Sequence, residues 1–171
     1  RMDLARQVFD KMPERNVVLW SAMISGYVQN RMPNEAWNLF DQMQLTEVKP
    51  NRVTVLSVLT ACTGLAALQQ GRRIHDYVIQ NRMTSDVVVG TALVVMYCNC
   101  RSIEIAREVF DKLSKRDVVA WSAMIAGYLQ NGHAEEALLL FHQMQMADLN
   151  PNQVTILSLL PLCANLAALR Q

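Results

Sequence analysis

The sequence predicts an all-α protein, an α-solenoid of stacked antiparallel helix pairs, and three observations carry that expectation. Residues 17–51, VVLWSAMISGYVQNRMPNEAWNLFDQMQLTEVKPN, return at 118–152 as VVAWSAMIAGYLQNGHAEEALLLFHQMQMADLNPN, an offset of 101 with no gap. The same offset relates 1–16 to 102–117 and 52–70 to 153–171, so the repetition reaches both ends of the chain. Between the copies lie 52–86 and 87–117, each with room for two helices, which divides the offset into units of 35, 35 and 31 residues. Units this small cannot enclose a core singly, whereas stacking them builds one that is shared along the array.

Each helix follows from its apolar spacing. Trp20, Met23, Ile24, Tyr27 and Val28 fall at i, i+3, i+4, i+7 and i+8, one face of a helix. Its partner repeats the pattern with Ala36, Leu39, Phe40 and Met43; Pro33 suits the first turn, and Pro50 prevents continuation into the next unit. In 52–86 the faces are Val55, Val58, Leu59 and Cys62, then Ala67, Gly71, Ile74 and Val78, with Gly71 placed for close approach. The 31-residue unit puts Ala106, Val109, Phe110 and Leu113 at helical spacing, and Ser102 and Asp3 are candidate cap or first-turn residues. The second copy turns at Asn131-Gly132 and ends at Pro151. Pro161 stands where the earlier copy has Thr60, and it is expected to kink or interrupt its helix.

Charge orients the layers. Segments 17–30, 53–64, 87–100 and 118–131 contain no Asp, Glu, Lys or Arg. An outer helix carries a solvated charged stripe, so the second helix of each pair is expected outside and the first helices form an inner, concave layer. A formal net charge of +1 excludes a strongly basic nucleic-acid binder and leaves partner choice open. The longest apolar run, 87–98, is short of the roughly 20 residues that span a bilayer. No N-terminal signal sequence is visible, and both ends fall inside a unit, as expected of a fragment.

The four cysteines do not form a disulfide framework, since Cys62 and Cys163 occupy one place in two copies and are expected to face their local cores. Thiols of this kind suit a reducing compartment. Cys98 and Cys100 lack a second Cys or His pair at metal spacing, so no metal and no cofactor are expected. His75, His133 and His142 are scattered on outer helices or turns. No H-x-E with a downstream C-x-x-C is present, nor a phosphate loop or a paired nucleophile and base, and the segment is not expected to be an enzyme.

WSAMISGYVQN with EAWNLFDQMQ and KPN, TVLSVLTAC with GRRIHDYVI, and GTALVVMYCNC with EIAREVFDKL together resemble the pentatricopeptide repeat family. The order and lengths resemble the plant subclass in which P-type, L-type and S-type motifs of 35, 35 and 31 residues alternate. On that resemblance 1–16 is the end of an S-type repeat, 17–51 P-type, 52–86 L-type, 87–117 S-type, 118–152 P-type and 153–171 the start of an L-type repeat. It implies a right-handed solenoid that binds single-stranded RNA on its concave face at about one base per repeat.

The resemblance also implies roles for particular residues. The fifth and last residues of a motif would read a base, which pairs Ser21 with Asn51, Leu56 with Asp86, Thr91 with Asp117 and Ser122 with Asn152. Ser with Asn implies adenine and Thr with Asp guanine; Leu56 cannot hydrogen-bond, so its unit should discriminate poorly, and Asn16 lacks its fifth-residue partner. The second residues, Val18, Val53, Val88, Val119 and Val154, would sandwich the bases. Read without the family, Ser21 and Ser122 are also suitable as small packing residues, Asn51 and Asn152 as turn or cap residues, and the valines as buried packing. The family's usual glycine after the first helix is replaced by Arg31 and Arg101, which join Arg116 as candidate phosphate contacts. So few cations imply modest affinity and a shallow salt slope.

The expected function is sequence-selective RNA binding within an organellar RNA-processing factor, in mitochondrion or chloroplast, as a specificity factor for cytidine-to-uridine editing. The alternative is a helical-repeat scaffold for protein partners, with an editing accessory protein on the apolar L-type surfaces. Uniform 34-residue periods and inner lysines or arginines, which a tetratricopeptide-like peptide groove would want, are absent. Neither a membrane nor a small-molecule substrate is expected.

Overall fold

A computed structural model describes the backbone of residues 2–168 and the side chains of residues 2–162. The described residues form α1 (Met2–Lys11), α2 (Val17–Gln29), α3 (Pro33–Gln44), α4 (Arg52–Leu65), α5 (Leu68–Gln80), a 3₁₀ turn (Met83–Ser85), α6 (Val87–Asn99), α7 (Ile103–Asp111), α8 (Val118–Gln130), α9 (Ala134–Met146) and α10 (Gln153–Ala168). No strand occurs among them. The fold is all-α, as the periodicity predicts, and the helices group into two compact units that divide after Met83.

In the first unit α2 and α3 make a helix hairpin, α4 packs on both, α5 returns along α4, and α1 lies on α2. The second unit repeats this plan, with α6 and α7 paired, α8 packed on both, and α9 and α10 each against α8. First helices therefore touch first helices, α2 on α4 and α6 on α8. That contact explains why they carry no charge beyond the first residue of α4, Arg52: two of their faces are covered, and an ionised side chain there would have to be desolvated.

The predicted faces are the buried ones. Ile24, Ala36, Leu39, Phe40, Met43, Val55, Val58, Ile74, Val78, Ala106 and Phe110 are at most 1% exposed. Where 1–16 meets 17–51, and 102–117 meets 118–152, the same aromatic joint recurs. Phe9 meets Trp20 edge to face at 4.9 Å, and Phe110 meets Trp121 at 5.1 Å, both at 79°. Edge-to-face pairs add about 0.5–1.5 kcal/mol beyond the area they bury.

Several sequence expectations are corrected. α10 runs on through Pro161 and is not interrupted there; one proline removes a single N–H from the ladder, and the turns on either side keep theirs. Ser102 stands at the N-cap of α7, but its side chain makes no capping bond. Ala67 precedes α5 as its N-cap instead of packing inside it. Cys62 is buried in the first unit as expected, whereas the side chain of Cys163 lies outside the described residues. Among those described, no helix is long and apolar enough to cross a membrane.

The turns inside the hairpins need a left-handed residue. Arg31 and Arg101 adopt φ of 58° and 55°, and Gly132 does the same job with φ of 83°. An L-residue with a Cβ is strained there. Replacing Arg31 or Arg101 with Gly should therefore raise stability by about 0.5–1 kcal/mol, net of glycine's larger unfolded-state entropy. Urea midpoints check this, with Gly132→Arg expected to move the opposite way.

At the α6–α8 crossing a Cβ added to Gly127 would run into Cys98 Sγ. Gly127→Ala should cost about 1–3 kcal/mol as an overpacked contact. The same closeness buries the Cys98 thiol and pushes its pKa up to about 12. An unfolded thiol ionises near about 8.5, so the folded state favours the neutral form. Stability should be level below that pH and fall as pH rises from there toward 12. Cys98→Ala should remove this part of the fall, measured as the difference in urea midpoint between the two proteins at pH 7.5 and at about pH 10.

Candidate nucleic-acid interface

The motif-ending residues share one structural role. Asn16 Oδ1 accepts the Leu19 N–H at 3.1 Å, Asn51 Oδ1 that of Thr54 at 3.0 Å, and Asp117 Oδ1 that of Ala120 at 2.9 Å. Asp86 Oδ1 accepts from Val88 and Val89 at 2.9 and 3.2 Å, and Asn152 Oδ1 from Thr155 at 3.0 Å. Each of these side chains thus begins a first helix, closing one, or at Asp86 two, of the N–H groups that a helix start leaves open.

In both copies of the 17–51 segment the cap is part of a larger network. Ser21 Oγ lies 2.7 Å from the Val17 carbonyl, 3.2 Å from Asn51 Oδ1 and 2.7 Å from Thr54 Oγ1, three contacts that share its one proton. Thr54 Oγ1 accepts the Asn51 N–H at 3.2 Å and lies 3.0 Å from Asn51 Oδ1, completing a capping box. The second copy repeats the side-chain contacts. Ser122 Oγ lies 2.6 Å from the Val118 carbonyl, 3.0 Å from Asn152 Oδ1 and 2.7 Å from Thr155 Oγ1. Thr155 Oγ1 is 3.0 Å from Asn152 Oδ1.

The bookkeeping of donors determines what these sites offer. Both asparagine oxygens are turned inward onto an N–H and onto hydroxyls, which directs the Nδ2 amide, two donors, away from the network. Ser21 and Ser122 are 4% and 2% exposed, so their hydroxyls are spent inside and not presented to a base. Asn51 and Asn152 are half-exposed. In the free protein, then, the two serine hydroxyls lie within the cap network, and the asparagines are the more exposed members of each pair.

Thr91 and Asp117 are arranged differently. Thr91 Oγ1 is buried without a hydrogen-bond partner, and the Asp117 carboxylate uses Oδ1 as its cap. The structure does not join this pair by a hydrogen bond. Leu56 is half-buried on α4 and Asp86 half-buried at the start of α6.

The candidate sandwiching valines are not buried in the free protein. Val18 is 66% exposed, Val53 51%, Val88 48%, Val119 58% and Val154 53%. Five β-branched apolar side chains thus stand exposed at equivalent helix starts. In the second unit Val119, Asn152 and Val154 line one open groove of about 260 Å³ between α6, α8 and α10, with Ser122 and Cys98 in its wall.

The phosphate candidates divide. Arg31 and Arg101 project from the exposed hairpin turns. Arg116 is committed elsewhere: its Nε donates to the Phe110 carbonyl at 3.0 Å, its Nη2 to the Asp111 carbonyl at 2.5 Å, and the guanidinium sits 5.3 Å from the Phe110 ring. Arg15 does the same for α1, donating to the carbonyls of Phe9 and Asp10. Both close helix C-termini, where carbonyls lack partners and a cation is favoured.

Thr54 and Thr155 are the residues that sequence reasoning missed. The available signal was Asn-x-x-Thr after proline, repeated at the same offset of 101. Among the described residues no cluster of His, Cys, Asp or Glu could hold a metal ion. His133 instead faces Glu136 at 3.5 Å at the start of α9.

Hairpins stacked first helix on first helix define a helical-repeat protein. The chain belongs to the pentatricopeptide repeat family: the PPR repeat family model matches residues 15–64 and 116–165, and the PPR repeat model matches 91–118. It is similar to a pentatricopeptide repeat-containing protein of Arabidopsis thaliana, 40% identical over 99% of this chain and 22% of the relative. Two further relatives from that plant, whose names carry the words mitochondrial and chloroplastic, are 40% and 35% identical over 96% of this chain. The chain spans 29% and 20% of their lengths. Among solved structures it resembles the pentatricopeptide repeat protein PPR10 in complex with an 18-nt psaJ RNA element, with a TM-score of 0.72 and 18% identity over 90% of this chain and 24% of that one. It also resembles the crystal structure of PPR10 from maize, with a TM-score of 0.66 and 19% identity over 85% of this chain and 22% of that one.

Each cap contributes to stability apart from any ligand. Asn152→Ala should cost about 1 kcal/mol by thermal or urea denaturation. Arg116→Ala should also destabilise, because it strips two carbonyl contacts and an aromatic contact from the end of α7.

Proposed function

We propose that this chain is a sequence-selective, single-stranded-RNA-binding segment of an organellar RNA-processing factor, with about one base read per repeat. The observation that carries the reading is the duplicated Ser–Asn–Thr network, which turns an asparagine amide outward beside exposed valines. A base that enters edge-first meets hydrogen-bond donors at its rim and an apolar side chain against its face, the combination suited to unstacked single strands. Asn51 and Asn152 would each take adenine, Asp117 with Thr91 guanine, and the Leu56 and Asp86 position would discriminate poorly. Val18, Val53, Val88, Val119 and Val154 would sandwich the bases, and Arg31 and Arg101 would contact the backbone.

The units of 35, 35 and 31 residues support assignment to the subclass with alternating P, L and S motifs, and through it a role in choosing cytidines for editing, with the chemistry supplied elsewhere. The relatives' names support residence in mitochondrion or chloroplast. A protein partner is a second reading, favoured by Leu139 on α9 and Ile156, Leu157 and Leu160 on α10, all more than half exposed. An editing accessory protein on the L-type surface would suit it.

Anisotropy with a short RNA carrying adenine, any base, guanine and adenine in order tests the proposal against an RNA with the purines exchanged for pyrimidines. The first RNA should bind several-fold better, and Thr91→Asn with Asp117→Asn should weaken the guanine preference. With two arginines reaching the backbone, the log–log salt slope should be no steeper than about −2. No binding by either RNA while circular dichroism shows intact helices would favour the protein-binding reading.

A further inference from the structure

We infer that Thr54 and Thr155 are positioning residues for base selection: each holds an asparagine amide so that only its NH₂ can reach the base. The inference rests on Asn51 and Asn152 being readers, as proposed above, and adds what sets their polarity.

An asparagine must be told which way round to sit, and an aspartate need not be. The two oxygens of a carboxylate are equivalent, so whichever caps the helix, the other still presents an acceptor. An amide is different, because a flip exchanges two donors for an acceptor and would invert the base preference. One backbone N–H favours Oδ1 inward. A hydroxyl 3.0 Å from the same oxygen adds a second hold, and Thr54 and Thr155 each supply it. Both threonines are 0% exposed, so no RNA atom could touch them in this state and their influence has to pass through the amide.

The occupants of the equivalent place at the other helix starts fit this need. Three residues after Asp86 stands Val89, and three after Asp117 stands Ala120, neither with a hydroxyl. Asn16 is followed at that distance by Leu19, and its oxygen is held by the backbone bond alone. Threonine thus accompanies the two asparagines that also have a buried serine partner. With its one proton on the asparagine oxygen, the threonine hydroxyl can accept that of the serine, 2.7 Å away in both copies, which links fifth residue, last residue and clamp.

The test compares Thr54→Val, Thr155→Val and their serine counterparts in the intact chain, using the RNA described above with each adenine varied singly. Thr54→Val should reduce adenine preference at the Asn51 position roughly three- to tenfold, the range of one hydrogen bond, and leave the Asn152 position unchanged. Thr155→Val should do the reverse, so each variant controls for general destabilisation in the other. Thr54→Ser and Thr155→Ser keep the hydroxyl and should keep the preference; if a valine variant does not fold, Thr→Cys at the same position is read instead. Equal loss at both positions from one substitution, or no loss from either, would overturn the positioning role. Asn51→Ala and Asn152→Ala separate the two levels. If these alter base preference while the valine variants do not, only the role of threonine fails; if these also change nothing, the reading of bases by asparagine fails with it.

Discussion

Every first helix in this chain begins on a side-chain oxygen that accepts a backbone N–H, and the rest of the arrangement depends on that bond. Asn16, Asn51, Asp86, Asp117 and Asn152 each fix where a helix starts. The starts at residues 17, 52, 87, 118 and 153 then set the phase of the apolar faces that pack first helix on first helix. A cap is worth only about 1 kcal/mol, but its placement decides which side chains lie beside it. The residue two places beyond each cap is always a valine, and it is always about half or more exposed.

Capping and base reading are compatible because they use opposite ends of one side chain. An asparagine that gives its oxygen to the helix keeps its amide for a ligand, and an aspartate that gives one oxygen keeps the other. The choice between turn residue and reader, open from sequence alone, is therefore not a choice between exclusive roles. On the proposed reading affinity and stability are coupled: any change that weakens the cap loosens both the helix start and the group held beside it. The closed clusters around Asn51 and Asn152 and the open Thr91–Asp117 pair are two solutions on the same frame. In the first, buried hydroxyls immobilise the amide; in the second, Thr91 keeps a buried hydroxyl with no partner.

Much of the fold was legible because helical burial is periodic. The faces read from Ala36, Leu39, Phe40 and Met43, or from Val55, Val58, Leu59 and Cys62, are the ones at most 1% exposed. The features missed are those that no period encodes. Arg116 reaches back six residues to the Phe110 carbonyl, a contact set by the chain's path after α7. Thr54 and Thr155 look like ordinary helix residues until the serine 33 places earlier is known to pack against them. Pro161 reads as a breaker, yet α10 continues through it. The valines read equally as base-sandwiching or as packing residues, and the observed helix starts show them exposed in the free protein.

The most direct test of the central claim, that the cap side chains face the RNA, is a side-chain amide spectrum of ¹⁵N-labelled protein titrated with the adenine- and guanine-bearing RNA. The NH₂ signals of Asn51 and Asn152 should shift on binding, while the backbone N–H signals of Thr54 and Thr155, locked inside the caps, stay protected from exchange. Shifts confined to side chains of the second helices, with both asparagine NH₂ groups unmoved, would contradict the account.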